Sequence, residues 1–382
     1  MLDSQRALFD IPDDVCYLNA AAWGPLPRAG VEAGRLGAAR KGQPWLMDHA
    51  FARDQHERAR SAAAALISAA PDDVALIPSV GYGVATAGKI LDIPRGHRVL
   101  VLEDDHTSPV LEWMSRADAQ GFDVEVVARP ENGDWSSAVL DAISSAGRPP
   151  VSLASISSIH WADGGSIDLA AVSAALRREG GRLLVDATHA VGVLHLDVRT
   201  LDPDFVIFPT YRWLLGPYGR AFIYVAKRHQ DGTPLEQTAF GRRDVIAEND
   251  VYFADMRYRP DARRFDMGER DHIISLEMAS VGMELAGRWG ADAISKRLAH
   301  LTGRIADGLG ELPVAVPDDR FRAPHILCIR LVKDELPGVV EALAREKIHV
   351  APRLGRMRIS PHVYNTLGDA DRLVGALGRI LK

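Results

Sequence analysis

Four groups of polar residues stand at the ends of apolar runs, where side chains can do chemistry. Asp186 closes the run Arg182–Ala187 (RLLVDA), and His189 follows it at three residues. A carboxylate at the tip of a hydrophobic strand is costly unless a cation or a donor meets it. It can pair with a protonated ring nitrogen of a ligand, or it can cap the next turn; the run itself offers no cationic partner. His106 follows two acids in DDHTSP, after the run Arg98–Glu103. Its imidazole can stack on a flat ligand, or it can be an ordinary loop histidine. Ser79–Gly83 (SVGYG) follows the run Val74–Pro78 and opens a helical segment. Backbone N–H groups at such a start can hold a phosphate, or Ser79 can simply cap the helix; no Walker lysine is present. His160, Trp161 and Asp163 crowd the glycine turn of SIHWADGG after Val151–Ser157. Trp161 is either a packing residue or a neighbour of a ligand.

Strands must place these residues. The runs named above, with VEVVA (Val124–Ala128), FVIFPT (Phe205–Thr210) and AFIYV (Ala221–Val225), are rich in Val, Ile and Leu and bounded by polar residues. They read as seven buried strands. Helical stretches separate several of them, and DLAAVSAALRREGG ends on the Gly-Gly that stops a helix. The pattern predicts an α/β fold, a mostly parallel sheet with helices on both faces. Ligands then bind beyond the carboxyl ends of the strands, where the polar groups lie. From Ser275 to Leu309 the chain is helical with breaks at glycines, followed by two strands in HILCIRLV and KIHVAPR and a closing helix. The expected division is a large domain over 28–274 and a small α+β domain made of 1–27 and 275–382.

The totals narrow the function. The chain has 382 residues, 47% hydrophobic and 25% charged, with a net charge of -6. Lysine and arginine form no stripe, so a nucleic-acid groove is not expected. No apolar run reaches a membrane span, and the first residues have no signal-peptide h-region. Cys16 and Cys328 form no metal-type pair, so no metal is expected and the reduced cytoplasm is the expected compartment.

As a set, the strand-end motifs resemble class V aminotransferase-type enzymes of the fold type I pyridoxal phosphate group, which include cysteine desulfurases, isopenicillin N epimerase and kynureninase. The resemblance runs from YLNAAAWGPLP (Tyr17–Pro27) to RMRISPHVYNT (Arg356–Thr366). It implies that His106, seven residues before Trp113, stacks on the pyridine ring. It implies that Asp186 holds the pyridinium nitrogen and His189 contacts the ring 3-hydroxyl. Val80, Gly81 and Tyr82 match the phosphate turn, and Gly268 the loop that reaches a partner subunit's cofactor, which implies a homodimer. Arg358 matches the arginine that clamps a substrate carboxylate, bidentately as guanidinium geometry allows. The implied partner is an amino acid or keto acid.

The departures bear on mechanism. Tyr211-Arg212-Trp213 fills the place of a His-Lys-Trp or Tyr-Lys-Trp block whose lysine anchors the cofactor and moves the α-proton. An arginine stays protonated and is neither amine nucleophile nor base. None of Lys41, Lys89, Lys227, Lys296, Lys333, Lys347 and Lys382 aligns with that position. Glu269 replaces the threonine that reaches the cofactor phosphate, and repels a dianion unless Arg263, Arg264 or Arg270 compensates. Trp161 replaces a smaller polar residue. Cys328 lies inside an apolar strand pattern, which does not fit a mobile desulfurase nucleophile. Arg220 and the charges of GRRD (241–244) read as solvated. Two expectations follow. Either pyridoxal or pyridoxamine phosphate binds without a covalent link, in an enzyme that relies on His106, His160 or Tyr211 as its base. Or the chain, inactive or trapped by a lysine-to-arginine replacement, is a small-anion-binding protein that uses Arg212 and Arg358.

Overall fold

The computed structural model describes residues 2–243, 255–332 and 335–381; Asp244, Lys333 and Lys382 lie outside these. The described strands are β1 (Cys16–Tyr17), β2 (Val74–Ile77), β3 (Arg98–Leu102), β4 (Asp123–Val127), β5 (Val151–Ser157), β6 (Arg182–Asp186), β7 (Phe205–Pro209), β8 (Ala221–Val225), β9 (Val314–Ala315), β10 (Leu327–Leu331), β11 (Ile348–His349), β12 (Ala351–Arg353) and β13 (Arg356–Ile359).

Strands β2 to β8 form one sheet in the order β2-β8-β7-β6-β5-β3-β4. The expected α/β architecture and its seven strands are observed. Only β8 runs against its neighbours, β2 and β7. The stretch 210–220 between β7 and β8 contains no helix, and a parallel return needs a longer crossover. The reversal brings the start of β8 to the edge where the other strands end.

Alternation along each strand fills both faces. Val99, Val101, Leu153, Ile207 and Ile223 pack on one side with Trp113 and Val84 of the helices Thr107–Gln120 and Val80–Ile90. Leu100, Leu102, Ile156, Val206 and Phe208 face the other, against Trp135, Leu176 and Ala63. The helix Ile273–Trp289 joins this second core through Leu276, Ala279, Met283 and Ala286. The helical region then breaks at Gly290, whose φ of 78° suits glycine.

The C-terminal sheet has the order β12-β13-β10-β9, and β1 pairs in parallel with β11, tying the N-terminal segment to it. β13 was not legible as a strand, because its alternate residues are arginines. A separate cluster at the seam unites Phe9, Ala20, Ala21, Trp213, Leu298, Val363 and Tyr364. No helix among the described residues is long and apolar enough to cross a membrane.

Candidate active site

A cavity of about 440 Å³ opens at the carboxyl ends of β2, β6 and β7 and at the start of β8. Val80, Gly81, His106, Trp161, Asp186, His189, Tyr211 and Arg212 all line it. Residues far apart in sequence meet here because each follows or ends a strand of one sheet.

Asp186 is the last residue of β6 and is 3% exposed. Its Oδ1 accepts from the Thr188 amide at 2.9 Å and from the Thr188 hydroxyl. Its Oδ2 has no hydrogen-bond partner among the described residues. His106 caps the helix Thr107–Gln120 by position, and its Nδ1 lies 3.5 Å from Ser108 Oγ. Asp105 fixes that loop: it accepts from the His106 amide (2.7 Å) and from the Ser157 amide (3.1 Å) and hydroxyl (2.7 Å). Burial pushes the Asp105 carboxyl up, and the nearby Asp186 charge adds to this.

Arg212 lies on the seam. Its Nη1 donates to the Ala21 carbonyl at 2.5 Å and sits 3.0 Å from His189 Nε2; its Nη2 donates to the Tyr211 hydroxyl at 3.2 Å. The N-terminal segment presses on the same turn: a Cβ at Gly24 would stand 2.0 Å from the Arg212 carbonyl. His189 is caught between two groups that only donate, because Trp213 Nε1–H points at its Nδ1 from 3.0 Å. A neutral imidazole has one acceptor nitrogen, so both contacts cannot be hydrogen bonds at once. Burial, then the charges of Arg212 and Arg358, hold its pKa well below the usual histidine range. An acceptor oxygen placed between Arg212 and His189 would relieve the conflict.

Five expected site residues do not reach the cavity wall. Tyr82 turns to Glu236; burial first, and then that carboxylate, raise its phenol pKa. His160 is fully buried and stacked on Trp135 at 4.9 Å; its Nε2 donates to the Glu103 carbonyl (3.1 Å) and its Nδ1 lies 3.1 Å from Asp163 Oδ1. It braces the turn from within the core, and its Nδ1 has no hydrogen-bond partner among the described residues. Gly268 donates its amide to Glu236 at 2.5 Å, and Glu269 adopts a left-handed φ of 50°, both off the cavity. Arg358 is 1% exposed; its Nη1 donates to the Trp161 main-chain carbonyl at 2.9 Å, and its Nε and Nη2 have no partner among the described residues. Burial pushes the Arg358 pKa down to about 9. The buried Cys328 thiol is pushed up to about 12, also by burial first.

Arg220 is a correction in the other direction. Read from sequence as solvated, it is 3% exposed and lines the cavity. The signal was available: a link too short for a crossover reverses β8 and carries its first residues to the ligand edge. Ser157, Thr188 and Ser108 also line the cavity without having been singled out.

The family model described as aminotransferase class-V matches residues 34–373. The chain is 26% identical to an uncharacterized aminotransferase, YcbU, of Bacillus subtilis (strain 168), over 82% of this chain and 80% of that protein. It is 25% identical to isopenicillin N epimerase of Streptomyces clavuligerus, over 95% and 94%. Among solved structures, a lysine-to-alanine mutant of C-DES with glycine covalently linked to the PLP cofactor superposes with a TM-score of 0.85 at 19% identity, covering 98% of both chains.

Proposed function

The chain belongs to the aminotransferase class-V family, and from that premise we propose that its cavity holds pyridoxal 5'-phosphate or pyridoxamine 5'-phosphate without a covalent bond to the protein. The carrying observation is a guanidinium, Arg212, in the cavity where the family resemblance places a lysine, beside a carboxylate, Asp186, with one unengaged oxygen. Among the described residues no lysine lines this cavity.

The residues present suit the group. Asp186 Oδ2 is free to meet a protonated ring nitrogen. The helix Val80–Ile90 starts at the cavity, and its first residues Val80 and Gly81 line it. An oxygen between Arg212 and His189 gives both donors an acceptor. When bound, the cofactor supplies an electron sink for a substrate carbanion.

The protein's part follows from side chains. Asp186 keeps the ring nitrogen positive. Arg212 stays a cation, orients anionic oxygens and moves no proton. Proton transfer then falls to His106, whose Nε2 has no partner among the described residues, or to the Tyr211 hydroxyl, which already accepts from Arg212. His160 is out of reach of the reacting atoms. The substrate class is an amino acid or keto acid, acted on by transamination, epimerisation or bond cleavage. Desulfuration by a cysteine nucleophile is disfavoured by the burial of Cys328.

A second reading, a small-anion-binding protein without turnover, keeps Arg212 in the cavity wall but not Arg358 as its second cation, since Arg358 does not line the cavity. We further propose a homodimer, supported by Trp23, Trp45 and Leu46 at 67%, 76% and 72% exposure, and a cytoplasmic setting, which suits two buried free cysteines. The large domain is proposed to run to about Gly290, given the packing of the helix Ile273–Trp289. Titration with each cofactor form tests the main reading. A saturable visible band that shifts on adding amino acids or keto acids supports it. A band that never responds favours the binding protein, and no binding removes the cofactor reading.

A further inference from the structure

We infer that Arg220 is the cationic half of an anion subsite in this cavity and takes the phosphate end of the cofactor. This rests on reading the cavity as a cofactor site. Arg220 immediately precedes β8, and β8 pairs with β2 so that Ala221 lies opposite Ile77. That register sets Arg220 beside Pro78 and Ser79, just before the helix Val80–Ile90, and all three line the cavity. The Val80 and Gly81 amides have no hydrogen-bond acceptor among the described residues, whereas the Tyr82 amide is already taken by Ser79 Oγ at 3.1 Å. Helix N–H groups and a guanidinium thus face the same space.

The guanidinium is buried without a counter-charge. Its Nε donates to Ser275 Oγ at 2.7 Å and its Nη1 faces Met267 Sδ at 3.4 Å. No carboxylate lies within ion-pair distance among the described residues, and Nη2 has no partner there. Burial alone lowers its pKa, to about 10, which leaves it charged at neutral pH. A buried cation without an anion is costly, and a bound anion removes that cost. Ser275 accepts from Arg220, so its own proton is free for His272 Nδ1, 2.9 Å away. That relay holds the guanidinium in one orientation.

The arginines that sequence offered as compensation are committed elsewhere. Arg263 pairs with Glu57 and Asp72 at 2.7 Å each. Arg264 donates to the carbonyls of Arg259 (2.8 Å) and Gly232 (3.1 Å). Arg270 pairs with Asp266 and lies 4.4 Å over the Phe240 ring. Glu269 stands off the cavity, so the phosphate end meets Arg220 instead of an opposing carboxylate.

The test compares equilibrium binding of pyridoxal phosphate and of pyridoxal, which lacks the phosphate, to wild type, Arg220→Met, Arg220→Gln and Arg220→Lys. Met and Gln should lose roughly 10- to 100-fold in affinity for the phosphorylated form and nothing for pyridoxal. Lys should retain part of the difference. Equal binding of pyridoxal phosphate by wild type and the neutral variants, or equal losses on both ligands, overturns the subsite while leaving the cofactor reading intact. If wild type binds neither ligand, the cofactor reading falls and inorganic phosphate decides the subsite. Thermal stabilisation of wild type but not of Arg220→Gln by phosphate sustains it; no stabilisation, or the same in both, overturns it.

Discussion

At the scale of single residues, Arg212 and Asp186 divide the work between a fixed positive charge and a fixed negative one. Asp186→Asn keeps the shape and the Thr188 contacts but removes the charge. The expected outcome is a loss of roughly tenfold or more in affinity for pyridoxal phosphate, with unchanged melting. Equal binding would show that no cationic ring meets Asp186. Trp161→Ser opens the cavity wall next to Arg358, whose Nη1 donates to the Trp161 main-chain carbonyl and whose Nε and Nη2 have no partner among the described residues. Competition by small carboxylates against cofactor-amine adducts should then improve roughly tenfold; no change would show that Arg358 is structural. The meeting of Asp186, His106, His189 and Arg212 at one cavity was legible because a strand end fixes a residue's position without knowledge of the rest of the fold. The burial of Arg358 and of His160 was not, because full enclosure and stacking on Trp135 are decided by side-chain packing between distant elements. Arg220 was missed for a different reason: its fate depends on the direction of the strand it precedes.

Among the elements, one buried ion pair holds the loop below the cavity. Arg60, on the helix His49–Leu66, meets Asp266 through Nη1–Oδ1 at 3.0 Å and Nη2–Oδ2 at 2.7 Å, with neither side chain exposed. Asp266 also accepts from the Leu76 amide of β2 at 2.9 Å. Arg60→Met leaves that buried carboxylate with Arg270 as its remaining cation among the described residues. Urea unfolding should show a loss of up to about 3–5 kcal/mol; less than about 1 kcal/mol would mean that Arg270 alone satisfies Asp266. The seven strands of the large sheet were readable because runs of Val, Ile and Leu buried on both faces leave a strong pattern. β13 was not, since Arg356 and Arg358 interrupt it. That the helix Ile273–Trp289 packs on the core of the large sheet was not legible, because its apolar stripe states that it packs but not on what.

Across the whole molecule, the seam around Trp213 carries an acid sensitivity. His325 and His362 are buried against it, at ring distances of 4.5 and 5.5 Å, and burial holds them down to about 3 and about 4. His189 is held low at the same place. Unfolded, each takes a proton near pH ~6.5. Above that pH neither state is protonated and stability is full. As pH falls toward 4 the unfolded chain gains protons that the folded chain refuses, and each histidine removes up to about 1.4 kcal/mol per pH unit. Urea midpoints at about pH 7 and about pH 5 should differ accordingly; coincident midpoints would place water in the seam. The central claim, a cofactor held without a covalent bond, is tested most directly by borohydride treatment of the loaded protein followed by intact mass. The expected result is an unmodified chain, cofactor released on denaturation, and a covalent adduct appearing only in Arg212→Lys. A cofactor-sized mass increase on the wild-type chain would contradict it.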